Sequence, residues 1–181
     1  MSEDIPLIVD LDHTLINTDL LFESSKGVLK QQPWLILLYP FWFFQGKGYL
    51  KDQLVRRFAI DVSVLPYIQD TIDYINERKK QGSIIILATA SHKDYAFAVA
   101  NYIDLFDDVM ASNANFNLSS QNKADKLVKR FGHKGFDYMA DHMRDMPVWE
   151  ASNLSILVNV TDKIINRTAH LNTLLISKKE S

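Results

Sequence analysis

Six side chains have the types and spacing to do chemistry together. Asp10 and Asp12 stand one residue apart at the end of the apolar run Leu7-Ile8-Val9. Thr89 puts a hydroxyl directly after a second apolar run that ends at Ala88. Lys123 opens a segment with helical spacing, and Asp141 and Asp145 follow a third run that ends at Ala140. Carboxylates hold hard cations through oxygen. A hydroxyl and an ammonium group hold phosphoryl oxygens as charge moves. Brought to one place, these groups suit phosphate and magnesium. Taken singly, each has an ordinary reading. An Asp-x-Asp pair can cap a loop, and Thr89 can cap the helix after it. Lys123 can be a solvated helix lysine, while the dipole at a helix start favours acids such as Asp141 and Asp145.

The elements around these residues decide whether they meet. The run from residue 7 to residue 10 is short, bounded and β-branched, so it reads as a buried strand. Further strands are expected at 83–88, 108–111, 136–140, 154–158 and 173–176. Helices are expected at 93–102, at 123–131 before Gly132, and at 143–152. Short strands alternating with helices imply an α/β fold, a doubly wound parallel sheet. In such a sheet the carboxyl ends of the strands share the edge where ligands bind. Residues 16–80 break the alternation. Helical spacing at 19–30, 49–60 and 65–80, the last stopped by Gly82, reads as a helical cap inserted after the first strand. The core would then comprise 1–15 and 81–181.

One stretch of that block has two readings. Residues 33–44 carry no charge and include Trp34, Tyr39, Trp42, Phe43 and Phe44. A spanning helix needs about 20 apolar residues, and Pro40 would kink one here, so a bilayer crossing is excluded. The plainer expectation is a buried helical hairpin. The sharper one is peripheral contact of residues 34–44 with a membrane or a lipid-bearing substrate, because Trp and Tyr favour membrane interfaces.

Composition excludes several classes. The 181 residues, 47% hydrophobic and 23% charged, suit one globular domain with a small insertion. A net charge of -2 and a longest basic run of Arg78-Lys79-Lys80 give no sign of a nucleic-acid partner. The absence of cysteine excludes disulfides and thiolate metal sites. The acidic start, Met1 to Asp4, has no apolar run of signal-peptide length behind it, so a cytoplasmic location is expected, at the inner face of the membrane if the aromatic stretch meets lipid.

In combination, the order of the candidate residues resembles the haloacid dehalogenase (HAD) superfamily of phosphatases. Asp10-Leu11-Asp12-His13-Thr14 is similar to its first motif and Leu87-Ala88-Thr89-Ala90-Ser91 to its second. Lys123 matches the third, and Ala140-Asp141-His142-Met143-Arg144-Asp145 the fourth, with Ala140 where glycine is usual. The long gap between the first two motifs resembles a type-1 cap. Phe131-Gly132, Phe136-Asp137-Tyr138 and Asp145-Met146-Pro147-Val148-Trp149 resemble more closely the HAD domain fused ahead of membrane polyprenyl transferases.

The resemblance implies a Mg2+-dependent phosphomonoester hydrolase acting through an aspartyl-phosphate. It makes Asp10 the nucleophile and Asp12 the acid and base. Asp10, Asp12 (through its carbonyl) and Asp141 would hold the metal, with Asp145 in support. Thr89, Ala90 and Lys123 would bind the phosphate. His13, His92 and His142 read as loop residues rather than ligands. The implied substrate is a phosphorylated small molecule, a sugar phosphate or a lipid-linked phosphate. The alternative is a catalytically weak regulatory or binding domain beside a membrane prenyl-transfer system.

Overall fold

In the computed structural model, residues 5–176 are described. The acidic start and the extreme ends of the expected core segments lie outside those residues. Six parallel strands form one sheet: β1 (Leu7–Val9), β2 (Ile85–His92), β3 (Asp108–Ser112), β4 (Asp137–Ala140), β5 (Ser155–Leu157) and β6 (Thr173–Leu175). Their spatial order is β3-β2-β1-β4-β5-β6. The chain therefore reverses its direction of growth at β1, which pairs with β2 on one side and β4 on the other. Ligands of doubly wound sheets bind outside the strand ends at such a switch point.

Both faces of the sheet are buried, except at the exposed edge strand β6, and that burial explains the apolar runs. Leu7, Val9, Ile85 and Leu87 face one core. Ile8, Ile86, Tyr138 and Ala140 face the other. The first face is covered by α4 (Gln69–Lys80) and α5 (Lys93–Ile103). The second is covered by α6 (Gln121–Phe131), α7 (Met146–Ala151) and α8 (Asp162–Thr168). Gly82, at φ +92°, ends the turn after α4, where Ser83 N–H donates to Arg78 O at 3.0 Å.

Several expected boundaries move. Helix α8 was not read from the sequence. The strand β2 runs on to His92, with an irregular register after Ala88. The segment read as one helix over 143–152 splits into a 3-10 turn, Met143–Asp145, and α7. The helix read at 49–60 is α3 (Lys47–Val55), which stops five residues early. The helix read at 65–80 begins only at Gln69, after an extended return. That helix, α4, packs on the sheet: Ile75 shares a core with Leu7, and Arg78 pairs with Asp137 of β4 at 2.8 Å.

The helices between β1 and α4 stand over the strand-end edge. The outgoing and returning chains are joined side by side. Ile16 bridges Tyr67, Asn17 N–H donates to Pro66 O at 2.7 Å, and Ile68 N–H donates to Leu15 O at 2.9 Å. Helix α1 (Leu20–Gln31) starts where Asp19 accepts from the N–H groups of Leu21 and Phe22. A 3-10 segment, Pro33–Leu38, then leads to α2 (Tyr39–Phe44) and α3. Their shared core is small: Val28, Leu35, Trp42, Leu50 and Leu54.

That core overturns the buried-hairpin expectation for residues 33–44. Only Leu35 and Trp42 of the stretch are buried, whereas Leu37 is 80% and Phe44 88% exposed. A run that is apolar all round needs protein on every side to bury it, and a core of this size covers one side.

Trp42 also lies under the Arg57 guanidinium, 4.8 Å from its ring centre. We expect Trp42→Ala to cost about 3–5 kcal/mol of local or global stability. The neighbouring Phe44→Ala should change it by no more than about 0.5 kcal/mol. Urea unfolding followed by tryptophan fluorescence and circular dichroism checks both.

Candidate active site

Asp10 is the first residue past β1, anchored by its own N–H to Met139 O at 2.9 Å. Its side chain enters a cavity of about 200 Å3 at the strand-end edge. A larger groove of about 700 Å3 runs along β3, but its acid, Asp108, is paired with Arg130 at 2.5 Å. The smaller cavity is the one that gathers reactive groups.

Lys123 is the centre of that gathering. It sits in the first turn of α6, on the inward face with Ala124 and Leu127, and is 1% exposed. Its Nζ donates to Asp10 Oδ1 at 2.9 Å, to Tyr138 Oη at 2.7 Å and to Asp145 Oδ1 at 3.4 Å. Tyr138 Oη donates in turn to Asp145 Oδ1 at 2.8 Å. Burial alone would push the lysine's pKa down, but the carboxylates of Asp10 and Asp145 outweigh it and hold the pKa above its usual value. Burial pushes Asp10 up to about 6, against the pull of Lys123 and with the push of Asp145 and Asp12. Burial also raises the Tyr138 hydroxyl well above its usual range, with Asp145 and Asp10 adding to it.

Asp12 occupies a separate environment. Leu20 N–H donates to its Oδ1 at 2.9 Å, and Ser91 Oγ donates to its Oδ2 at 2.6 Å. Burial, with Asp19 second, pushes Asp12 up to about 6. Between the two aspartates and the helical excursion, His13 turns the chain in the left-handed region at φ +59°. Such backbone strain persists only where the surroundings hold it.

The strand β4 delivers the remaining acids. Asp141 follows it directly and accepts from Thr14 Oγ1 at 3.4 Å. Burial, then Asp10 and Asp145, pushes Asp141 up to about 7. One carboxylate oxygen each from Asp10, Asp141 and Asp145 lies within 4.8 Å of the others. Three oxygen donors at that spacing, two of them (Asp10 and Asp141) with raised pKa values, are short of positive charge and fit a hard divalent cation such as magnesium. Asp145, expected only in support, is a full member of this cluster. The carboxylate of Asp12 is directed to Leu20 and Ser91 instead.

The second motif divides. Ala90 lines the cavity, as does Ser91, which the sequence reading gave no role. Thr89 is completely buried, is not part of the cavity wall, and accepts from Ser91 N–H at 2.9 Å. The register irregularity in β2 is the cause, because a bulge re-aims the side chains beyond it. Tyr138, Lys51 and Asn117 were also missed. Tyr138 had a signal: it alternates with Met139 on a strand that Asp141 follows directly. Lys51 had none. It reaches from α3 across the cavity, where Nζ donates to Ala90 O and, at 3.2 Å, to Asn117 Oδ1. The close seat of α3 depends on Gly48, where a Cβ would stand 2.6 Å from Asn113 O. His13 and His142 line the cavity. His92 lies against Asp52 and Asp94 at 3.6 Å instead.

No protein-family model matches the chain. Over 155 residues, or 85% of its length, the chain is 33% identical to uncharacterized protein y4nM of Sinorhizobium fredii, and it spans 30% of that protein. Among solved structures, a predicted phosphatase from Clostridium acetobutylicum superposes with a TM-score of 0.70 at 15% identity, covering 97% of this chain and 95% of that one. A phospho-aspartyl intermediate analogue of phosphoserine phosphatase superposes at 0.61 and 12% identity, again covering 97% and 95%. The chain has the HAD-like fold. The parallel sheet with its flanking helices is common to all three chains along nearly their whole length.

The raised carboxylates make the metal-free HAD-like protein sensitive to pH. The folded Asp10 and Asp141 keep protons that the unfolded chain, near 3.8, has already released. Each therefore lowers stability as pH rises from about 4 to about 7, with no further loss above. In chelator-treated protein, Asp141→Asn should gain stability over the wild type across that window. Urea midpoints for the two proteins at a series of pH values check this, and parallel curves would refute it.

Proposed function

We propose that the chain is a phosphomonoester hydrolase that works through an aspartyl-phosphate on Asp10. The observation that carries this reading is the pairing of Asp10 with buried Lys123, two residues before a second carboxylate held in a different environment. Lys123 fixes one oxygen of Asp10 and leaves the other to attack phosphorus. The bond from phosphorus to the leaving oxygen breaks as the bond to Asp10 forms. Asp12, near 6, carries enough protonated form near neutrality to give its proton to the leaving oxygen. The resulting Asp12 carboxylate then takes a proton from water, which attacks phosphorus and frees Asp10 and inorganic phosphate. Ser91 holds Asp12 in place for both transfers.

Magnesium fits beside these groups. Asp10, Asp141 and Asp145 would hold it, together with the carbonyl of Asp12, and it would neutralise charge on the phosphoryl oxygens. Lys123 supplies further positive charge, and the Ala90 backbone forms part of the wall on which a phosphate would rest. The phospho-aspartyl form of the phosphoserine phosphatase neighbour supports the same chemistry on this fold.

For the substrate, we take a phosphate ester with an apolar portion, such as a lipid-linked phosphate, ahead of a bare sugar phosphate. Leu21, Phe43 and Leu50 of the helical excursion supply that side of the cavity. We retain the division into a sheet core and an inserted cap, with α4 counted in the core by its packing. The alternative is a catalytically weak binding or regulatory domain beside a membrane prenyl-transfer system.

Turnover separates the two. Asp10→Asn should lose essentially all hydrolysis of p-nitrophenyl phosphate while staying folded. Lys123→Ala should lose about 10²–10³-fold through lost charge at the phosphate. Lys126→Ala, on the exposed face of the same helix, should stay near wild type. Chelation should abolish activity, magnesium restore it, and calcium restore it poorly. Turnover by Asp10→Asn, or full activity after exhaustive chelation, would defeat the reading.

A further inference from the structure

The outer face of the helical excursion is apolar and unusually exposed. Trp34, Leu37, Phe41 and Phe44 project from it, each more than half exposed. Single exposed apolar residues are ordinary, but a contiguous aromatic and aliphatic surface marks an interaction site. Its charge setting is one-sided. From Ser24 to Lys51 the sequence holds Lys26, Lys30, Lys47 and Lys51 and no acid, in a chain whose net charge is -2. Lys26, Lys30 and Lys47 are exposed.

We propose that this face docks on the surface of an anionic lipid bilayer. Aromatic and aliphatic side chains from a 3-10 segment and a six-residue helix enter the headgroup region. The exposed lysines Lys26, Lys30 and Lys47 meet the anionic headgroups. The contact is peripheral, because no helix among the described residues is long and apolar enough to cross a membrane. Docking does not require the phosphatase reading. Its consequence for catalysis does: Phe43 and Lys47 belong both to this region and to the cavity wall, so a docked molecule turns the mouth of its cavity toward the headgroups.

The test is flotation of the purified protein with vesicles of phosphatidylcholine alone or mixed with phosphatidylglycerol. We expect flotation with the anionic vesicles, weakened by salt, and little with the neutral ones. The double variant Leu37→Ser/Phe44→Ser alters two exposed side chains outside the cavity. It should lose about tenfold or more in vesicle binding while keeping its circular dichroism and its hydrolysis of p-nitrophenyl phosphate. Asp10→Asn should float like wild type, so docking and catalysis can fail independently. No flotation with anionic vesicles overturns the proposal, as does equal binding to neutral ones. A dimer that the double variant converts to monomer, without vesicle binding, overturns it in favour of a second copy of the chain.

Discussion

The buried Lys123–Asp10 ion pair is the interaction on which the site depends. Three strand-end or post-strand acids, Asp10, Asp141 and Asp145, converge within a few ångströms. Desolvated carboxylates that close repel one another and resist ionising. One ammonium, fully buried and shared among Asp10, Asp145 and the Tyr138 hydroxyl, offsets part of that repulsion. It does not offset all of it, since Asp10 and Asp141 remain raised to about 6 and about 7. The remaining deficit of positive charge is what a cation and a phosphoryl group would exchange across. The ion pair is thus poor evidence of stability, because a buried pair of this kind seldom improves on apolar packing.

Topology makes this convergence possible. With β1 between β2 and β4, the ends of the first and fourth strands open at the same point, and Asp10 and Asp141 are simply the next residues along each. Helix α6 must cover the second face of the sheet, so its inward positions fall under that edge. Lys123 is one of them, with Ala124 and Leu127. Asp12 escapes the cluster because the chain turns at His13, and that turn gives it a different set of donors. Two aspartates one residue apart therefore stand in different surroundings, Asp10 on Lys123 and Asp12 on Leu20 and Ser91.

Much of this was legible beforehand. Apolar runs bounded by turns gave all six strands, since a strand buried on both faces leaves a continuous signal. Asp10 and Asp141 stood out because charge directly after such a run has to be accommodated, and Lys123 because it opens a helical segment. What stayed hidden depended on tertiary geometry. Ser91 displaced Thr89 at the cavity wall because of a bulge, which leaves no mark in residue type. Lys51 reaches the site from another layer, and nothing near it in sequence announces the contact. The exposure of residues 34–44 turned on how little core lay beneath them, a quantity that periodicity does not measure. Helix α8 is short and polar outside Ile164 and Ile165, too brief for a periodic pattern to emerge.

The side-by-side pairing of Ile16 with Tyr67 has a consequence for variation in this architecture. The chain leaves the sheet for the helical excursion and returns from it through a doubled stalk, whose two chains are hydrogen-bonded to each other. What lies beyond the stalk is, to the sheet, one closed loop. Each doubling of a loop's length costs only about 0.6 kcal/mol in closure entropy. Added length at the far end of the excursion therefore carries little closure cost, while α3 stays tied to the core through Lys51 and Gly48, and the aspartates at the base of the stalk stay where β1 leaves them. The strand-end acids and the helical wall of the cavity are thereby placed on stretches of chain that can vary in different ways.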